Sequence, residues 1–177
     1  MEVFQGRPAD VTGRLEKEIA VYDLLDQLDI PFRRVDHDHA DTMEMCQEID
    51  QALGQDICKN LFLCNRQKTK FDLLLMPGDK PFKTKDLSAQ IGSSRLSFGG
   101  PEDMERLLNL TPGSVTVLGL MYDPDCQVTL LIDQDLYQQT AFGCHPCINT
   151  STVQFSTADF REKLLPALGH PVTLVQL

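Results

Sequence analysis

Apolar residues recur along this chain in two rhythms. Ile19, Val21, Tyr22, Leu24, Leu25 and Leu28 form a broad stripe at helical spacing, which predicts a helix from about Arg14 to Asp29. Thr12 is placed to cap that helix and Pro31 to stop it. A short strand, Phe32–Val35, follows, and then a polar loop at 37–41. Thr42 is expected to cap a second helix running to Leu53, with Met43, Cys46, Ile49 and Leu53 inward and Gly54 at its end. The rhythm then shortens. Cys58-Lys59-Asn60-Leu61-Phe62-Leu63 reads as an apolar strand opened by two polar residues, which a period of two sets on opposite faces. A turn at 67–69 and a second apolar run, Phe71–Met76, complete a predicted hairpin over 58–65 and 70–76.

Beyond Pro77-Gly78 the elements are shorter. Thr84 is expected to cap a helix with Leu87 and Ile91 inward, 95–100 is expected as a strand, and Pro101 opens a helix to Leu110. A glycine loop at 112–117 leads into Leu118-Gly119-Leu120, and 128–133 reads as a strand. Residues 142–152 form a tight connection between two strands, a final helix spans 157–168, and 172–175 closes the chain as a strand. This order predicts an α+β fold: one domain over 1–177 with a mixed, mostly antiparallel sheet and short helices.

Charge sharpens this picture more than composition does. The formal net charge is −10, which argues against general coating of nucleic acid. Residues 59–95 nevertheless hold eight basic and three acidic side chains. Such a segment is either a solvated lysine face or a patch that meets only the end of a polyanion. Lys59 poses the same choice, between snorkelling at a sheet edge and meeting an anion. No stretch is apolar enough for a membrane span, and the N-terminus lacks the features of a secretory signal, so the expected location is the cytoplasm with its thiols reduced.

Several constellations compete for the chemistry. The run His37-Asp38-His39-Ala40-Asp41 could ligate a metal, although alternating charge in a loop is more often simply solvated. Cys144-His145-Pro146-Cys147 has the C-x-x-C spacing of redox proteins, but the residues after it continue as strand where a thioredoxin-like motif opens a helix. Thr111-Pro112-Gly113-Ser114-Val115 offers close backbone approach and N–H groups for a carbonyl or oxyanion. Ser114 lacks the G-x-S-x-G elbow of a hydrolase nucleophile.

Four strings taken together are more specific: KNLFL at 59–63, RLSFG at 95–99, PGSVT at 112–116 followed by Gly119-Leu120, and His145-Pro146 with Asn149 and Thr152. In this order and at these separations the chain resembles the free-standing prolyl-tRNA editing deacylases of the YbaK/prolyl-tRNA synthetase insertion-domain superfamily, over nearly its whole length. The resemblance implies an enzyme that hydrolyses the ester of mischarged tRNA(Pro), most of all Ala-tRNA(Pro), by attack of water assisted by the terminal ribose, with no protein nucleophile, metal or organic cofactor. It implies the acceptor end of tRNA(Pro) as partner, with prolyl-tRNA synthetase as a further one, and neither DNA nor membrane. Lys59, Gly113 and His145 are then expected to carry the reaction. Thr42, Asn60, Arg95, Ser114, Val115, Val117, Cys144 and Asn149 are expected to contact substrate. Two positions depart from the family pattern: Val117 stands where proline is usual, and Cys144 where phenylalanine often precedes the histidine. Both are expected to border the aminoacyl side chain. A binding module that holds aminoacyl-tRNA or a synthetase without hydrolysing it is the rival reading.

Overall fold

The computed structural model describes residues 1–177. Its nine strands divide between two sheets. The first has the order β1-β2-β8-β7 and is antiparallel throughout, from β1 (Phe4–Gln5), β2 (Arg33–Asp36), β7 (Ala141–Cys144) and β8 (Ser151–Ser156). The second has the order β5-β3-β4-β6-β9, from β3 (Lys59–Cys64), β4 (Phe71–Met76), β5 (Ser97–Phe98), β6 (Val128–Asp133) and β9 (Val172–Val175). Here β3 is antiparallel to β4 and β5, while β4, β6 and β9 run parallel. The class is the expected one, α+β with mixed and mostly antiparallel pairing. The strands form two sheets rather than one.

The unbroken apolar run Leu73–Met76 of β4 has a direct cause. It lies between β3 and β6, and both its faces are covered. Leu73 and Leu75 join a core of 31 buried residues, and Leu74 and Met76 join a smaller one of 7 on the opposite face. A strand covered on both sides loses the polar alternation of a half-exposed one. Strand β3 follows the same rule only in its second half. Phe62, Leu63 and Cys64 are buried, whereas Lys59, Asn60 and Leu61 are half-buried, so its polar start emerges beside the loops.

The helices are α1 (Glu16–Gln27), α2 (Met43–Leu53), α3 (Thr84–Ile91), α4 (Pro101–Leu108) and α5 over 157–168, whose middle, Phe160–Leu164, is π-helical. Thr42 caps α2, its side chain accepting from the Met45 N–H at 3.2 Å, and left-handed Gly54 closes it. Thr12 does not cap α1. The helix begins after Leu15 without a side-chain cap, and the Thr12 N–H is turned to Asp10. Glu18, buried within the first turn, instead ties α1 down by accepting from Arg14 and from the Tyr22 hydroxyl. Thr84 is the first residue of α3 and not its cap. Met43 and Cys46 are exposed; Ile49 and Leu53 are the α2 residues buried in the core beside Val35, with Met45 and Ala52 packed against it. The glycine loop enters a 3-10 helix, Val117–Tyr122, and the expected strand at 95–100 shortens to the two residues of β5.

Candidate active site

The polar start of β3 meets three other segments: the loop and helix at 40–50, the 111–115 turn, and the β7–β8 connection. Two adjoining cavities open there, of about 340 and 220 Å3, and Ile57, Cys58 and His145 line both. Lys59, Ile49, Asp50, Gly78 and Thr152 add to the larger; Asn60, Gly113 and Val115 add to the smaller.

His145 is half-buried, and its hydrogen bonds decide which ring nitrogen is free. Nδ1 lies 2.8 Å from the Ser151 carbonyl oxygen, so Nδ1 carries the hydrogen and Nε2 is left as an acceptor with no protein partner. Burial pushes the imidazole below its ordinary pKa, against the opposing pull of the Ser151 carbonyl, and His37 pushes it lower still. The ring is therefore neutral at physiological pH, with a lone pair to offer. Behind it stands a chain of hydrogen bonds. The Thr152 hydroxyl oxygen is 3.4 Å from His145 Nδ1 and 2.9 Å from His37 Nε2, and His37 Nδ1 is 2.6 Å from the Asp38 carbonyl. The two imidazole rings are 6.0 Å apart. His37 is thus a support for His145 rather than one half of a metal pair with His39, which is exposed.

The 111–115 turn is made by glycine and serine in different ways. Gly113 has φ +90, and a Cβ there would come within 2.9 Å of Asn149 Nδ2. The same Asn149 amide donates to Asp41 Oδ1 at 2.9 Å and accepts from the Ala40 N–H at 3.2 Å, joining three loops at one side chain. The backbone N–H groups of Gly113 and Val115 take no partner within the protein, which leaves them available to a substrate oxygen. Ser114 is buried, and its hydroxyl donates to the Thr111 carbonyl at 2.8 Å; it closes the turn and faces neither cavity. Asn60 is used internally too. Its Oδ1 accepts from the Val117 N–H at 3.1 Å, which pins the 3-10 helix to β3.

Lys59 donates to the Lys80 carbonyl at the near end of the hairpin. Lys80 is itself held by Asp133 at 2.7 Å and Asp135 at 2.8 Å. The basic segment is split by the hairpin. Lys59 and Lys80 lie toward the cavity end, and Arg66, Lys68 and Lys70 lie around the opposite tip. Arg95 goes with the distant group. It is exposed and precedes β5, which pairs with Leu63 and Cys64, about 13 Å along the strand from Lys59.

Of the eleven positions expected from the sequence, Lys59, Asn60, Gly113, Val115 and His145 line the cavities, and Asn149 stands directly behind Gly113. Thr42, Arg95, Ser114, Val117 and Cys144 do not. Val117 and Cys144 are fully buried in the main core, so the two departures from the family pattern sit behind the wall and not on it. Cys144 and Cys147 are free thiols that burial pushes up to about 12, protonated at neutral pH and poor nucleophiles. Cavity residues outside the expected positions include Asp50, Asp56, Ile57, Cys58 and Thr152.

The family model for the aminoacyl-tRNA editing domain matches residues 37–163, a span that runs from His37 past His145 and includes every wall of both cavities. The chain belongs to the aminoacyl-tRNA editing family. Editing in this family is hydrolysis of an aminoacyl ester, so the protein is an ester hydrolase acting on charged tRNA. Among relatives of the editing family, the chain is 31% identical over 163 residues to the prolyl-tRNA editing protein ProX of Acetoanaerobium sticklandii, covering 92% of this chain and 99% of that one. It is 28% identical over 169 residues to the prolyl-tRNA synthetase associated domain-containing protein 1 of Danio rerio, covering 94% and 88%. A solved structure described as a candidate trans-editing enzyme for prolyl tRNA synthetase shares the fold, with a TM-score of 0.66 at 16% identity over 92% of this chain and 98% of that one. No helix is long and apolar enough to cross a membrane.

Proposed function

We propose that this editing enzyme deacylates mischarged tRNA(Pro) in trans, with Ala-tRNA(Pro) as its substrate. The observation that carries the reading is the pairing, in one cavity, of a neutral His145 whose Nε2 is unspent with Gly113 and Val115 N–H groups that have no internal partner. An aminoacyl ester is already reactive, so positioning a water and stabilising the developing oxyanion suffice without a protein nucleophile. In this reading Nε2 accepts a hydrogen bond from the attacking water or from the terminal ribose hydroxyl. The Ser151 carbonyl and Thr152 hydroxyl hold the ring as partial positive charge develops. Backbone N–H groups of the 113–115 turn take the carbonyl oxygen as it becomes negative.

Lys59 supplies a cation at the mouth of the larger cavity, and its remaining N–H bonds are free for the phosphate of the terminal nucleotide. An acidic molecule whose cavity walls carry a single cationic side chain, Lys59, is suited to the acceptor end of a tRNA rather than to its whole length. Selection of a small side chain follows from a stiff wall. Ile57 packs against Gly143 so closely that a Cβ on the glycine would lie 2.7 Å from Ile57 Cδ1. One methylene in such a pocket is worth about 1–3 kcal/mol. The synthetase-associated names of the relatives make prolyl-tRNA synthetase a candidate partner.

The test is a panel of Ala-, Ser-, Cys- and Pro-tRNA(Pro) offered to the purified protein. Rapid release of alanine with Pro-tRNA(Pro) spared is the expected result. Tight binding of the panel without hydrolysis of any member would refute the reading.

A further inference from the structure

Asp50 is a carboxylate in the wall of the 340 Å3 cavity that the reaction described above does not use. It lies near the end of α2 and is half-buried, on the same cavity as His145, Lys59 and Thr152. Its Oδ1 accepts from the Ile57 N–H at 2.9 Å, which fixes the carboxylate plane where the chain leaves α2 for β3. The second oxygen, Oδ2, has no protein partner, and no lysine, arginine or histidine pairs with this residue. Lys59, the one lysine on that wall, has its ammonium on the Lys80 carbonyl. The nearest influence of charge is unfavourable: burial raises the carboxyl above its ordinary range, the Ile57 N–H pulls it back, and exposed Asp56 adds to the rise. A half-buried anion with an open lone pair and no internal cation is a receptor for a cation that arrives from outside.

The editing substrate brings such a cation. An aminoacyl ester carries an ammonium on the carbon next to the reacting carbonyl, and this group separates it from every uncharged tRNA end. We propose that Asp50 binds the α-ammonium of the aminoacyl ester and so sets the reacting carbonyl against His145 and the 113–115 turn. This inference rests on the editing reading and adds to it the group that recognises the amino acid's invariant end, leaving the Ile57 side of the pocket to judge its side chain.

The test is Asp50→Asn, which keeps an oxygen to accept from the Ile57 N–H and removes the charge. Two esters are compared: Ala-tRNA(Pro), and the lactyl ester of the same tRNA, which has a hydroxyl in place of the ammonium and nearly the same shape. The expected result is a tenfold to hundredfold fall in kcat/KM for Ala-tRNA(Pro) and less than a threefold change for the lactyl ester, with an unchanged melting temperature. Asp50→Glu, which restores the charge one methylene further out, should recover part of the preference for the alanyl ester. Equal losses on the two esters in folded Asp50→Asn protein would overturn the assignment and make Asp50 a structural anchor for Ile57. So would Asp50→Glu losing the preference as completely as Asp50→Asn. A wild-type enzyme that cleaves neither ester would refute the editing reading itself, and this inference with it.

Discussion

His145 and His170 are each gripped at Nδ1 by a backbone carbonyl, Ser151 at 2.8 Å and Leu168 at 3.0 Å, and they part company at Nε2. In His170 that nitrogen is 3.0 Å from Asp123 Oδ2, and both side chains are only 1% exposed. Asp123 is saturated in turn, accepting from the N–H groups of Gln127 at 3.0 Å and Val128 at 2.8 Å. The pair therefore clamps the turn that leads into β6 to the loop that leads into its parallel neighbour β9. In His145 the same nitrogen has no protein partner, and the residue lines both cavities. Burial alone does not separate a structural histidine from a reactive one. Unspent hydrogen-bonding capacity beside an open space does.

The comparison breaks first at His145. His145→Ala should lower kcat/KM on Ala-tRNA(Pro) by about 10²–10⁴-fold, the range of a positioned proton-accepting group. Its stability to denaturant should change by about 1 kcal/mol, because the ring gives up one good hydrogen bond, to the Ser151 carbonyl, and one long contact with the Thr152 hydroxyl at a half-buried site. Since the neutral ring is the useful form and its pKa is held below the ordinary 6.5, wild-type activity should fall only on the acid side of that value and stay level above it. A stable variant with full activity would show that an open Nε2 is not the mark of the site.

At the other histidine the expectation is inverted. Asp123→Ala removes the acceptor of three buried hydrogen bonds and leaves His170 unpaired, at a cost of about 3–5 kcal/mol in equilibrium unfolding. Turnover per folded molecule should be unchanged, since the clamp touches neither cavity. A loss of activity larger than the loss of folded protein would mean that the clamp also shapes the site.

Much of this was legible in the residues. The 58–65 and 70–76 hairpin, the Thr42 cap and the burial of Phe62 and Leu63 follow from alternation and local chemistry, and each is present. The partners of His145 were not legible, for a physical reason. His37 and Thr152 are 115 positions apart and become neighbours only because β2 pairs with β8, with Asp36 opposite Ser151. Nothing local says which strands will pair. The misplacement of Val117 and Cys144 has a different origin. A departure from a family pattern marks a position and not the direction of its side chain: His145 follows Cys144 out of β7 into a turn, so the two side chains part, and Cys144 and Val117 join the core. Asp50 was missed because a lone aspartate near a helix end has no signal until the Ile57 N–H and the cavity are both in place.

The smallest expected effect extends the comparison from histidines to carboxylates. Asp72 on β4 is only 8% exposed, yet unlike Asp123 it accepts no hydrogen bond, and burial raises its pKa to about 6 against the weak opposing pull of exposed Lys70. It lines a polar groove of about 620 Å3 with Thr129 and Thr173, well away from His145. The consequence for stability has a definite sign. Below about pH 4 the carboxyl is protonated in both the folded and the unfolded chain, and it makes no difference. Between about 4 and 6 the unfolded chain releases the proton first, so stability falls as pH rises. Above that the penalty is complete, about 1–3 kcal/mol for a shift of this size. Asp72→Asn should therefore melt higher than wild type at pH 8, and the two proteins should converge toward pH 4, with deacylation unaffected throughout. If the variant is instead less stable at pH 8, Asp72 has a cation partner, and an unspent carboxylate outside the active site would not be the liability that its contrast with Asp123 makes it.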